Sequence, residues 1–365
     1  MKFTCVTQYL KKALATAERF TGKNITLPIL ANVLLEVRQD NLFITTTNLE
    51  SAAQITFKGT NAQEGKVCVP AKVLSSFVQS IEDEKIQLEE KQGSLIIKTD
   101  TRDTRINGVS ADEFPLIPKI KKSHSITLSA RVLCEGIERV LPAVSLSEFK
   151  PELGGIFVNI SATSIKLAGT DTFRLAEKTI LFEPKKQIEP FSFIMPYKIS
   201  QEVVRVLGNE EEVHIAIGEN QIILETDGYM IISRLTEGNF PEYSGIIPKN
   251  FETSCFVAKD EFLNSVRASS IFASKLQEVT IGVKNRNLEI KSLNQDVGEY
   301  KNNITCSPSG KDIMIGFNFR YLLDGLHSVN EDEIFFGLNG EQSPSLIKNK
   351  SDNSFLYVVM PIRLS

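Results

Sequence analysis

The sequence predicts an α+β chain built from three similar units, each of about two helices packed on antiparallel strands. Three observations carry this. Long blocks recur at a period of about 120 residues, the signature of a repeat architecture. Two amphipathic segments fall in every copy. Short alternating strand-like runs, bounded by Gly, Asn and Asp, fill the space between them.

The repeat is clearest around the prolines. VPAKVLSSFVQSIEDEKIQLEEKQGSLIIKTD reaches DEFP in the first copy, and MPYKISQEVVRVLGNEEEVHIAIGENQIILETD reaches GNFP in the second. Pro70 and Pro115 have the same spacing as Pro196 and Pro241, and Lys72 and Lys198 stand at the same place after the first proline. The third copy, GFNFRYLLDGLHSVNEDEIFFGLNG through VVMP, is more divergent and puts Arg320 at that place.

The helices come next. VTQYLKKALATAERF, LSARVLCEGIERVL and AKDEFLNSVRASSIF open the copies with apolar residues three and four apart. In the second copy the stripe is Val132, Leu133, Ile137, Val140 and Leu141, and Leu10, Leu133 and Leu263 are aligned as equivalents. Helices are predicted over 7–20, 71–81, 129–144, 197–207, 259–275 and 318–328. NLFITTT, SIKLAGT, NQIILET and NLEIKSL read as half-buried strands. SADEFPLIPKIKKSHS and GNFPEYSGIIPKNFE, rich in Pro, Gly and Lys, read as linkers. Domains are therefore expected at 1–122, 123–249 and 250–365.

Composition narrows the function. The chain has 365 residues, 42% hydrophobic and 24% charged, with no apolar run long enough to span a membrane and no apolar signal core after MKFTCVTQYLKK. A cytoplasmic location is expected. Five scattered cysteines with no CxxC pair or Cys/His cluster predict neither a disulfide framework nor a metal site. Only three histidines occur, and no GxSxG, HExxH, Walker A or GxGxxG motif. No catalysis and no cofactor are expected. The net charge of −4 is acidic, yet the predicted helices carry more Lys and Arg than Asp and Glu, so the acidity lies in strands and loops. A basic helical face suits sequence-independent phosphate contacts. Solvated helix surfaces often look the same. A protein scaffold without DNA remains a rival at this point, separable by reversing the charges on that face.

The start MKFT and the blocks LPILANVLLEV, LGGIF, GTDTFRLA, GNFPEY and YVVMPIRL, in this order along the whole chain, resemble the bacterial DNA polymerase III beta subunit, the sliding-clamp family. The resemblance implies three clamp domains per chain and a head-to-tail homodimer forming a six-domain ring around duplex DNA. It also implies partners: the replicative polymerase alpha subunit, the clamp loader, and other polymerases and repair proteins carrying Gln-, Leu- and Phe-rich motifs. Carried over by motif, the peptide pocket between domains two and three comprises Leu153, Thr170, Thr172, Phe173, Arg174, Leu175, Pro241, Ile246, Val358, Met360, Pro361 and Ile362, with Arg363 at its edge. The C-terminal VVMP also reads as an ordinary edge strand. DNA-facing residues are expected at Lys12, Lys23, Lys72, Arg139, Lys150 and Lys198. The subunit interface is expected to join Thr104 and Ile106 to Ile271 and Phe272. Two departures stand out. Family members often have Gly-His where this chain has Thr172-Phe173, and a basic residue where it has Gly245.

Overall fold

A computed structural model describes residues 1–22, 26–117, 123–183 and 188–363. Lys23 lies outside the described residues, as does the expected domain boundary at Lys122. The elements run in one order three times, with one extra strand, β5, in the first copy. The first copy holds β1 (Lys2–Val6), α1 (Thr7–Ala17), β2 (Asn32–Arg38), β3 (Asn41–Thr47), β4 (Ser51–Lys58), β5 (Thr60–Gln63), β6 (Gly65–Pro70), α2 (Ala71–Gln79), β7 (Lys85–Lys91), β8 (Ser94–Lys98) and β9 (Asp103–Asn107). The second holds β10 (His124–Ser129), α3 (Ala130–Val140), β11 (Gly155–Ile160), β12 (Ser164–Thr170), β13 (Arg174–Leu181), β14 (Phe191–Pro196), α4 (Tyr197–Leu207), β15 (Glu212–Ile217), β16 (Gln221–Glu225) and β17 (Tyr229–Arg234). The third holds β18 (Thr253–Ala258), α5 (Lys259–Ser269), β19 (Glu278–Lys284), β20 (Asn287–Asn294), β21 (Gly298–Gly310), β22 (Ile313–Asn318), α6 (Phe319–Ser328), β23 (Glu333–Leu338), β24 (Ser345–Asn349) and β25 (Phe355–Val359).

All six helices fall where the apolar spacing puts them, α4 over the predicted residues and the others with their ends drawn in. The last residues of the first, third and fifth predicted helices form short 3-10 turns at 18–20, 141–143 and 270–272. In α1 the buried Leu10, Ala13, Leu14 and Ala17 repeat every three or four residues. One equivalence is corrected. Leu10, Leu133 and Phe262 each stand fourth in their helix and are buried, whereas Leu263 is only partly covered. Counting from the helix start shifts the third copy by one residue, and phenylalanine takes leucine's place. At α6, Asn318 caps the first turn by accepting from Arg320 N at 2.9 Å.

By contact density the chain separates into two compact units, residues 1–131 with 205–235, and residues 132–204 with 236–365. The first contains a five-stranded sheet, β5-β1-β7-β8-β9, and an eight-stranded sheet, β10-β15-β16-β17-β4-β3-β2-β6. The second contains a twelve-stranded sheet, β14-β11-β12-β13-β25-β24-β23-β18-β21-β20-β19-β22. Every strand pairing among the described residues is antiparallel. Strand exchange between copies explains the units: the last strand of each later copy pairs with the fourth strand of the copy before it. β17 joins β4 with Ile232 opposite Ala52, and β25 joins β13 with Val358 opposite Leu175. The two junctions share one register. Each buries apolar residues across the seam, Ala52, Ile223 and Ile232 in one, Leu175, Leu346 and Val358 in the other.

The stretch GNFPEYSGIIPKNFE, read as a linker, is packed. Phe240 stacks on Phe157 with centroids 4.9 Å apart, and the buried Tyr243 donates its hydroxyl to Glu177 Oε2 at 2.6 Å. Its aromatic residues cover the seam between β13 and β25, so its Pro and Gly bend a packed segment.

Candidate functional site

The seam between β13 and β25 is bounded by the turn from β12 into β13. Thr170 Oγ1 donates to Arg174 O at 2.6 Å, Thr172 N donates to Thr170 Oγ1 at 3.2 Å, and Asp171 Oδ1 accepts from Phe173 N and Arg174 N, both at 3.0 Å. Such Asx hydrogen bonds make the turn from its own side chains. Thr172 has φ 78°, in the left-handed region that glycine enters freely and a β-branched residue does not. The glycine that the resemblance implies at this place would have a backbone reason, and threonine holds the same turn under strain.

Beyond the turn, Met360 N donates to Phe173 O at 2.8 Å and Ile362 N to Gly316 O at 2.9 Å. The C-terminal block thus runs past β25 and is pinned to β22. Between the turn, β25 and the segment 245–252 lies a groove of about 740 Å³. Leu175 and Val358, both buried, lie in its floor; Ile246, half exposed, forms a lip. Thr170, Thr172, Arg174 and Met360 complete the side expected from sequence, with Gly245 beside Ile246.

Ile247, Pro248, Asn250, Glu252, Asn339, Ser343 and Pro344 form the rest of the groove and were missed by sequence reasoning. Their polar end is knit by long-range hydrogen bonds: Asn339 Nδ2 donates to Asn250 O at 2.8 Å and Glu252 N donates to Asn339 Oδ1 at 2.9 Å. Residues so far apart in the chain leave no periodic signal. Leu153, Phe173, Pro241, Pro361, Ile362 and Arg363 do not line the groove. Leu153 is buried, and the Phe173 side chain is exposed at the turn.

Arg174 is engaged from two sides. Its Nε donates to Asp171 Oδ2 at 2.9 Å, its Nη1 donates to Asp324 of α6, and its guanidinium lies over the Tyr321 ring with 4.3 Å to the centroid. It is a braced wall of the groove.

The other expected residues are distributed as follows. Lys12, Lys72 and Lys198 are exposed on α1, α2 and α4, and Lys150 is exposed in the loop after α3. Arg139 is half-buried, and its Nη1 is enclosed without a hydrogen-bond partner, so this guanidinium is turned from solvent. Among the described residues β9 pairs only with β8, at the edge of its sheet. Ile106 on it is 6% exposed, so its side chain belongs to the core under its own sheet, and only its backbone and the half-buried Thr104 lie at the edge. Ile271 is exposed, and Phe272 stacks on Tyr300 of β21 at 6.2 Å.

Comparison with known proteins gives a consistent result. The DNA polymerase III beta subunit N-terminal, central and C-terminal domain models match residues 1–118, 127–242 and 244–363. A beta sliding clamp of Staphylococcus aureus is 26% identical over 376 aligned positions, covering 100% of this chain and 99% of the relative. The DNA polymerase III beta subunit of Thermotoga maritima superposes with a TM-score of 0.92 at 28% identity, over 100% of both chains. A sliding clamp of Pseudomonas aeruginosa bound to griselimycin superposes at 0.95 with 25% identity, again over 100% of both. Matched in order by all three domain models, the chain belongs to the DNA polymerase III beta subunit family.

Proposed function

We propose that this chain is a sliding clamp: a non-catalytic processivity factor, located in the cytoplasm, that encircles duplex DNA as a head-to-tail homodimer of three-domain subunits. The domains are taken to meet near residues 122 and 249. The groove at Thr170–Arg174 then receives short apolar peptides from the polymerase alpha subunit, the clamp loader and repair proteins. Leu175 and Val358 in its floor suit a Leu or Phe anchor.

The observation that carries the reading is strand exchange with one place left over. β17 completes β4, and β25 completes β13. Among the described residues, the third copy's equivalent of β4, the first part of β21, pairs with β20 and has its other edge open, and β9 has no second partner strand. An open edge pairs with any available strand, and a second copy supplies each edge with the other. The shared register of the two seams transfers directly. Met230 faces Gln54 and Leu356 faces Glu177, which puts Asp103 of one subunit opposite Lys301 of the next. Arg105 then faces Glu299. All four side chains are on the exposed face, while Thr104 faces Tyr300 on the inner one. Opposite charges in both outward pairs support this register.

Topology removes the need for tight DNA contacts, so an acidic protein with exposed lysines on its helices suffices. After loading by a clamp loader, the protein should remain on nicked circular plasmid and run off once the plasmid is linearised. Reversing Lys12, Lys72 and Lys198 to glutamate should weaken retention in a salt-dependent way. Equal loss from circular and linear DNA would refute encirclement, and unchanged retention by the reversed variant would refute the helical DNA face.

A further inference from the structure

The turn that walls the groove occurs twice, once with an arginine and once without. In the first copy Thr47 Oγ1 donates to Ser51 O at 3.0 Å, Leu49 N donates to Thr47 Oγ1 at 3.0 Å, Asn48 Oδ1 accepts from Glu50 N and Ser51 N, and Leu49 has φ 74°. These are the hydrogen bonds and the backbone of Thr170–Arg174, with Ser51 in the arginine's place. The turn therefore folds without a guanidinium, and the contacts of Arg174 to α6 do something else.

Those contacts fix its direction. The Arg174 side chain is 13% exposed and is held between Asp171 and Asp324, flat on Tyr321. The buried Tyr357 hydroxyl also lies against the guanidinium and interacts with it. A buried cation that loses one carboxylate has to find water. Arg174 borders the groove, so the groove is the nearest open space.

We propose that Asp324 is a positioning residue for ligands of this groove: through Arg174 it keeps the guanidinium against α6 and out of the space an apolar anchor occupies. The inference rests on reading the groove as a peptide site. Without Asp324 the guanidinium turns into the groove, carries water with it and competes with the anchor. A neutral peptide should then bind more weakly, and a peptide with a carboxylate beside its anchor should lose less or gain.

The test uses the full-length protein and two fluorescein-labelled peptides, Gln-Leu-Ser-Leu-Phe and Gln-Leu-Glu-Leu-Phe, read by fluorescence anisotropy. Asp324→Asn should weaken the neutral peptide about tenfold while shifting preference toward the acidic one, and Asp324→Glu should restore both affinities and the preference. Arg174→Lys, a point charge that cannot bridge two carboxylates, should shift the preference the same way and serves if the asparagine variant is unfolded. Unchanged affinities in a folded Asp324→Asn protein overturn the proposal. So does equal weakening of both peptides, which is the mark of a merely structural role. If the wild-type protein binds neither peptide, the peptide reading of the groove falls first.

Discussion

Reversing one charge at the proposed subunit junction tests its register most directly. Arg105 on β9 and Glu299 on β21 are exposed in the single chain and face each other only if two copies repeat the register of the internal seams. A facing pair of opposite charges across a strand pair is worth about 0.2–1 kcal/mol, and like charges cost as much. Arg105→Glu should therefore shift each junction by about 1 kcal/mol. A two-subunit ring has two such junctions, so dimerisation weakens by about 2 kcal/mol, roughly thirtyfold in Kd. Screening at physiological salt acts over about 8 Å and leaves a directly facing pair mostly intact. Arg105 must also release its hydrogen bond to Ser94 Oγ, 3.0 Å long, which sets a small opposing cost. Sedimentation velocity over a dilution series measures the effect. Glu299→Arg alone should weaken self-association equally. An equimolar mixture of the two single variants should dimerise as tightly as the wild-type protein, because both junctions of the mixed dimer are again oppositely charged. If the mixture dissociates like the separate variants, Arg105 and Glu299 are not partners and the register is wrong.

Other expectations follow from the same geometry. Thr172→Gly removes a left-handed φ from a β-branched residue and should stabilise the protein by about 1 kcal/mol after the added flexibility of the unfolded chain, seen as a higher Tm; a lower Tm would show that the turn is unstrained. Tyr243→Phe leaves the buried Glu177 carboxylate with Lys166 at 3.8 Å as its remaining ion-pair partner and should cost about 2 kcal/mol in urea unfolding. Burial, and then the hydrogen bond to Glu177, raise the Tyr243 phenol above the ordinary tyrosine range. Its contribution is thus complete below about pH 10 and is lost as pH rises beyond it, so the wild-type protein should destabilise more steeply above pH 10 than Tyr243→Phe. Burial pushes the Cys5, Cys68 and Cys134 thiols up to about 12, so iodoacetamide at pH 8 should leave these three unmodified until the protein unfolds, as mass spectrometry of tryptic peptides will read.

Local order was legible in the sequence, and long-range pairing was not. Helix periodicity marked all six helices because each buries one face and exposes the other. The error at Leu263 arose because Phe262 and Leu263 are both apolar and only the helix start decides which is buried. Strand exchange is a matter of hydrogen bonds between residues such as Ala53 and Ile231, far apart in the chain, and composition does not encode it. The groove was half legible for the same reason. Thr170, Arg174 and Met360 sit in recognisable blocks, whereas Asn250 and Asn339 meet only after folding. The departure at Thr172 from the glycine that the resemblance implies is a matter of backbone, because this position has a positive φ.

Strand exchange also decides where the proposed ring opens. At the two junctions inside a chain, the strands that part stay tethered by covalent backbone, so a broken junction meets its partner again at a high effective concentration and recloses at once. The junction between chains has no such leash of its own; only the opposite junction holds the two subunits together while it is apart. The subunit boundary is then the gate even if its contacts are as good as those within the chain, and a machine that opens the ring has only to delay reclosure there.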